Sequence, residues 1–255
     1  MEGAEPFSAP GGEHGALVLH GFTGTPHSVR GLARALADAG FAVEAPLLPG
    51  HGTSVDDMVK TGWADWWRCA DEAYRELAER CRRRRARVVV AGLSMGGTLA
   101  AFLAAEHAEI AGLVLVNPYV EPPAPSFRDL LRGMRDSGGT SIPSIGSDIA
   151  DTGVKEVTYD ATPIAPLLSL CEALDDLQPR LGRITCPVLV MTSREDHVVP
   201  PVSSDILASG VAGPVERVRL ARSFHVATLD HDRDEIERRA VAFAEEACSA
   251  GAGAS

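Results

Sequence analysis

From Val88 to Ala105 the chain carries no charged side chain. A run of that length, about 18 residues, stands at the threshold for a membrane-crossing helix. The arginines just before it even mimic a positive flank. Its internal order argues against a span. The run opens with Val88-Val89-Val90, is interrupted at Gly92, Ser94, Gly96 and Gly97, and only then becomes alanine-rich. β-branched residues, a glycine-rich break and a stretch of small helix formers read as a buried strand, a sharp turn and a buried helix. Gly92-Leu93-Ser94-Met95-Gly96 has the spacing G-x-S-x-G, the strained strand-to-helix turn that lifts a serine hydroxyl out at the top of a sheet. Such a turn crowds its neighbours, so only glycine fits beside it.

The rest of the chain repeats the same grammar. Ala16 to Leu19 is an apolar run stopped by His20-Gly21, and Pro26 opens a segment of helical spacing closed by Gly40. Phe41 to Ala45 predicts a strand, and Trp63 to about Arg82 an amphipathic helix. The arginines that follow, Arg80, Arg82 to Arg85 and Arg87, read as its solvated end, because no aromatic residues interleave them for base stacking. Gly112 to Val116, Pro187 to Met191 and Val215 to Leu220 predict further strands, with helices from about Val202 to Ala208 and from Asp232 to about Ala247. Alternating strands and helices imply an α/β fold with a mostly parallel sheet flanked by helices. The rhythm fails from Tyr119 to Arg183, a stretch too long for a loop and expected to be a cap (lid) inserted into a core of residues 1–118 and 184–255.

Composition narrows the function. The 255 residues carry a formal charge of −11, which argues against nucleic acid or an anionic membrane surface as the main partner. Five cysteines without a C-x-x-C pair suggest reduced thiols, and the Gly/Pro-rich lead has no apolar signal core, so a cytoplasmic protein with no transmembrane segment is expected. No metal-ligand spacing, phosphate loop or dinucleotide loop is present, so neither metal nor cofactor is expected. Oligomeric state is left open.

A serine hydroxyl needs a base to activate it and a third group to orient that base. His225 stands where the last strand gives way to the final helix and fits the base better than His231. His14, in the lead, and His27 and His107, in or beside helices, read as surface residues. The acid should follow the strand after the cap, where Glu195 and Asp196 compete. Asp196 is preferred for its shorter side chain, nearer the loop that must reach an imidazole. Oxyanion donors would be the amides of Met95 and of Phe22, in His20-Gly21-Phe22-Thr23-Gly24, with His20 a structural hydrogen bonder below that loop.

His20-Gly21-Phe22-Thr23-Gly24, Gly50-His51-Gly52, Gly92 to Gly97, Asp196 to Pro200 and Ser223 to Asp230 together resemble the bacterial carboxylesterases and monoacylglycerol lipases of the α/β-hydrolase superfamily. The likeness runs from about Ala16 to Ala247. In the cap, Gly146-Ser147-Asp148-Ile149 and Val154-Lys155-Glu156 resemble the monoacylglycerol lipases in particular. The resemblance implies an α/β-hydrolase fold, hydrolysis of a small-molecule ester or lipid through an acyl-enzyme on Ser94, Glu156 at the glycerol head group and Ile145 along the acyl path. Acyl transfer or thioester cleavage on the same residues stays open, as does a slow hydrolase-fold receptor.

Overall fold

A computed structural model describes residues 1–82, 86–144 and 146–250. Seven strands form one sheet in the order β1-β3-β2-β4-β5-β8-β9. They are β1 (Phe7–Ala9), β2 (Gly15–Leu19), β3 (Ala42–Ala45), β4 (Val88–Leu93), β5 (Gly112–Val116), β8 (Val188–Ser193) and β9 (Val215–Leu220). All neighbours are parallel except β1, which pairs antiparallel with β3. The uncharged run divides as its sequence predicts, into β4 and α4 (Met95–Glu106). Among the described residues no helix is long and apolar enough to cross a membrane.

The continuous apolar strands follow from burial on both faces. Successive residues point to opposite sides, so Leu17, Leu19, Val90, Leu113 and Leu115 pack with α3 (Trp63–Arg82), α4 and α6 (Ile164–Leu177). Ala16, Val18, Val89, Ala91, Val114 and Val116 pack with α1 (Arg30–Asp38) and α8 (Arg233–Ser249) on the other face. Helix α4 lies between sheet, α3 and α6, so every residue from Met95 to Ala104 is buried and no polar stripe survives in it. The amphipathic α3 turns Trp66, Ala70, Tyr74 and Leu77 inward. Its last turn is tied to β3 by the Arg80 to Glu44 pair at 2.6 Å. Arg83 to Arg85 of the arginine block lie outside the described residues.

The lead departs from the sequence expectation. It reads as flexible, yet Phe7–Ala9 adds an edge strand to β3, and the His14 ring accepts the Arg87 amide at 3.1 Å. Three residues carry too little periodicity to announce a strand, and only the distant partner makes them one.

Between β5 and β8 come α5 (Pro125–Asp136), a two-stranded ribbon of β6 (Ser141–Pro143) and β7 (Ala161–Pro163), and α6. Helix α5 rests on α6 through a small apolar cluster of Leu131, Ile164 and Leu168. The later residues of α6, Leu170, Ala173 and Leu177, belong instead to the main core below the sheet. The four-residue helix α2 (Val55–Met58) lies near β7, and α7 (Val202–Gly210) follows β8.

Chain direction reverses between β2 and β4. From β2 the chain passes outward to β3 and returns to add β4 on the other side of β2. A crevice opens at such a switch point, beyond the carboxyl ends of the strands. The two loops that flank it carry Phe22 and Ser94.

Packing at that crevice predicts opposite outcomes for two glycines. A Cβ on Gly96 would stand 2.1 Å from the Leu19 carbonyl oxygen, whereas one on Gly133, in exposed α5, meets nothing within 4 Å. Gly96→Ala is expected to abolish the folded, soluble protein, and Gly133→Ala to stabilise it by about 0.5–1 kcal/mol through helix propensity. Thermal melts of both variants check this. A stable Gly96→Ala protein would contradict the close approach.

Candidate active site

Ser94 sits at φ +54° and ψ −117°, a conformation non-glycine residues rarely adopt. Strain of this kind persists only where the surroundings hold it. Here the Ser94 amide donates to the Val116 carbonyl at 3.1 Å, and the Ser94 carbonyl accepts from Tyr119, Gly97 and Thr98. A Cβ on Gly92 would meet the Gly96 carbonyl carbon at 2.2 Å, so the turn closes only with glycine at both positions. Met95 opens α4, and a first-turn amide has no intrahelical acceptor.

His225 lies in the loop between β9 and α8. Its Nδ1 stands 2.8 Å from Asp196 Oδ2, and both side chains are buried. A carboxylate only accepts, so Nδ1 carries the proton and Nε2 is left as an acceptor. Asp196 follows β8, and its Oδ1 accepts the amides of Val198 at 2.9 Å and Val199 at 2.8 Å. Its second oxygen is thereby aimed at the imidazole. The competing Glu195 and His231 are exposed.

Three polar residues around this pair, Asn117, Asp148 and Asp230, are given no role of their own by the sequence, although the last two stand within the motifs quoted for the resemblance. Asn117, at φ +44°, ends β5, and its Nδ2 donates to the carbonyl of His225 at 2.8 Å and to Ser193 Oγ at 2.9 Å. Its Oδ1 accepts the Ser193 amide at 2.7 Å, so one buried side chain joins the ends of β5 and β8 to the histidine loop. The carboxylates of Asp148 and Asp230 bind the same loop. The only local signal was an asparagine before a proline at a strand end.

On the other side of Ser94 the loop after β2 holds Phe22 and Thr23, the latter at φ +60°. His20 supports it from below. Its Nε2 accepts the Leu48 amide at 3.1 Å, so its Nδ1 donates to the Gly21 carbonyl at 2.9 Å. Burial pushes the His20 pKa down to about 4, and burial followed by repulsion from His20 pushes His51 well below its ordinary value. Both rings are neutral. The chain segment before β7 grips the loop from above, where Thr158 Oγ1 donates to the Thr23 carbonyl and Thr25 Oγ1 to the Val157 carbonyl, each at 3.0 Å.

Ser94, His225, Phe22 and Glu156 line one cavity of about 410 Å³. Its remaining wall is mainly apolar and includes Phe127, Ile142, Leu167 and Val198. Glu156 stands in an irregular segment, not on a helix, and its Oε1 lies so close to Gly24 that a Cβ there would meet it at 2.7 Å. Burial raises its pKa to about 7 against the opposing pull of His225 and a hydrogen bond from Ser28. Ile145, expected along the acyl path, lies outside the described residues.

Comparison with known proteins gives the family. Residues 14–232 match the family model described as serine aminopeptidase, S33. The thermostable monoacylglycerol lipase of Bacillus sp. (strain H-257) is 46% identical over 248 residues, 95% of each chain. The carboxylesterase of Bacillus subtilis (strain 168) is 28% identical over 247 residues, 94% of this chain and 96% of its own. A solved structure from work on the metagenome-derived lipolytic enzymes LipS and LipT superposes with a TM-score of 0.90 at 38% identity, covering 96% of this chain and 99% of its own.

The buried histidines set an acid limit on stability. An imidazole with a folded pKa of about 4 against 6.5 when unfolded contributes stability that is complete above 6.5 and lost as pH falls towards 4. For His20 alone the loss approaches about 3 kcal/mol. Denaturant midpoints should therefore fall steadily from pH 7 to pH 4.5, and ring ¹⁵N shifts should show His20 uncharged at pH 5.5. A charged His20 at that pH would refute the assignment.

Proposed function

Because the chain belongs to the serine aminopeptidase, S33 family of the α/β-hydrolase superfamily, we propose that it is a serine hydrolase of carboxylic esters whose main substrates are monoacylglycerols. The observation that carries this reading is the union of Ser94 and the His225–Asp196 pair on one mainly apolar cavity. The family's peptidase description does not direct the substrate. Both Bacillus relatives are ester hydrolases by name, and the wall suits an acyl chain better than a peptide.

With Nδ1 bonded to Asp196, His225 Nε2 takes the Ser94 proton as Oγ attacks the ester carbonyl carbon. The amides of Met95 and Phe22 receive the charge that develops on the carbonyl oxygen. Collapse breaks the bond to the alcohol, which leaves with the proton held by His225. Water then gives a proton to His225 and its oxygen to the acyl carbon, and the fatty acid departs as Ser94 is reprotonated. Asp196 keeps the ring oriented and stabilises its transient cation. The core supplies these groups, and the insertion between β5 and β8 roofs them, apart from the later residues of α6, which pack into the core.

Two features favour a monoacylglycerol over a simple ester. The cavity offers apolar wall for one acyl chain, and Glu156 is a carboxyl group within it able to accept from a glycerol hydroxyl. A pKa of about 7 lets that carboxyl be ionised at mildly alkaline pH and neutral below it. Head-group binding is accordingly strongest above pH 7.

A fluorophosphonate probe should label the native protein and fail on Ser94→Ala. Asp196→Asn should lower kcat by about 10³–10⁴-fold, as expected when an imidazole loses the partner that sets its tautomer. Glu156→Gln should raise KM for a medium-chain monoacylglycerol about tenfold, the worth of one hydrogen bond to a charged group, and leave a short p-nitrophenyl ester within about threefold. Release of fatty acid from the monoacylglycerol is the direct assay. Rapid cleavage of short esters with none of monoacylglycerols would remove the lipid assignment, and labelling that survives Ser94→Ala would remove the serine hydrolase.

A further inference from the structure

The cap and the catalytic loops exchange carboxylates. From the cap, Asp148 Oδ2 accepts the His225 amide at 3.0 Å and the His197 amide at 3.2 Å, and its Oδ1 stands 2.8 Å from His197 Nδ1. The Asp148 carbonyl accepts the Val226 amide at 3.0 Å. From the core, Asp230 Oδ2 accepts the amides of Ala150 at 2.7 Å and Phe224 at 2.9 Å, and its Oδ1 those of Asp151 at 3.0 Å and His231 at 2.8 Å. Asp230 is fully buried, and the Asp148 side chain is about 10% exposed. Hydrogen bonds to ionised acceptors of this kind are short, strong and directional.

The placement of these bonds matters more than their number. His197 follows the acid Asp196, and His225 is the base. Asp196 holds its own turn by accepting from Val198 and Val199, so its position depends on residues 197 to 199 together. One cap carboxylate therefore spans the two loops whose separation sets the 2.8 Å contact between Asp196 and His225. His197 also packs edge-on against Phe224, with ring centroids 4.6 Å apart, and its ring is pulled towards the charged form first by the Asp148 hydrogen bond and then by its charge.

We propose that Asp148 is a positioning residue of the hydrolase reaction, a cap-borne carboxylate that sets the register of Asp196 against His225. The cap limb of residues 148–151 then belongs to the catalytic frame and does not move as a lid. This rests on the serine-hydrolase reading above. Loss of the clamp lets two loops drift by a fraction of an ångström. Drift of that size slows the chemistry more than it alters substrate binding, since Asp148 lines the cavity but spends its carboxylate oxygens on the two loops.

The test compares native protein with Asp148→Ala, Asp148→Asn and Asp148→Glu, at temperatures where melts show each folded. Asp148→Ala should lower kcat about 10–100-fold with KM within about threefold, and slow fluorophosphonate labelling by the same factor. Asp148→Asn keeps a carbonyl oxygen for both amides and should restore kcat to within about fivefold of native. A residue that merely supported the fold would lower the melting midpoint and leave kcat of the folded protein alone. Should Asp148→Ala not fold, Asp148→Glu displaces the carboxylate by one methylene and should lose about tenfold in kcat at constant KM. Native protein labelled at Ser94, with Asp148→Ala or Asp148→Glu labelled at the native rate, would overturn the positioning role alone. Native protein that is not labelled at all would overturn both readings.

Discussion

Where α4 starts against the end of β2, the Gly96 Cα lies so near the Leu19 carbonyl that no side chain fits between them. That contact forces the turn at Ser94 into its left-handed conformation, because β4 must stop and α4 begin within one residue. It also brings the loop after β2, with Phe22, beside the start of α4, with Met95. A serine hydroxyl, a helix N-terminus and the loop of Phe22 are thus gathered by one packing constraint. The arrangement suits chemistry in which negative charge develops on an oxygen. Everything else in the site is placed relative to this junction.

What holds the remaining loops is a set of polar side chains used as backbone partners. Asn117 binds the His225 carbonyl, Asp196 caps its own turn, and Asp148 and Asp230 cross-link cap and core. Loops of this length cannot form ladders with one another, and their buried amides still need acceptors. A carboxylate accepts up to four hydrogen bonds, so one aspartate satisfies several amides at once and fixes their spacing as it does so.

How much of this is legible in the sequence depends on the range of the interaction. The elbow is spelled by five adjacent residues, and the buried strands by runs of Val and Leu whose neighbours in space need not be known. The histidine loop follows from chain order. By contrast β1 exists only because Phe7, Ser8 and Ala9 meet Ala45, Glu44 and Val43, and three residues carry no period. The Asp148 to His225 link spans 77 positions, and Asp230 reaches Ala150 across 80, so no local pattern announces either. Glu156 illustrates the same limit, since the sequence places it in the cap and only the fold brings it against Gly24 in the loop after β2.

That placement has an electrostatic consequence. Glu156 and His225 face one cavity, and the imidazole cation favours ionisation of the carboxyl. An ionised Glu156 is in turn a negative charge facing the cavity in which the proposed reaction forms an imidazolium. In the proposed reaction the imidazolium forms only on the way to each tetrahedral intermediate. A substrate hydroxyl that donates to Glu156 stabilises its ionised form. Under the proposed function, binding of the head group therefore raises the fraction of Glu156 that is charged. A simple ester without the hydroxyl leaves Glu156, with a pKa of about 7, only about half ionised near that pH. In that proposal the cap carboxyl joins binding of the alcohol to the charge that faces His225 across the cavity.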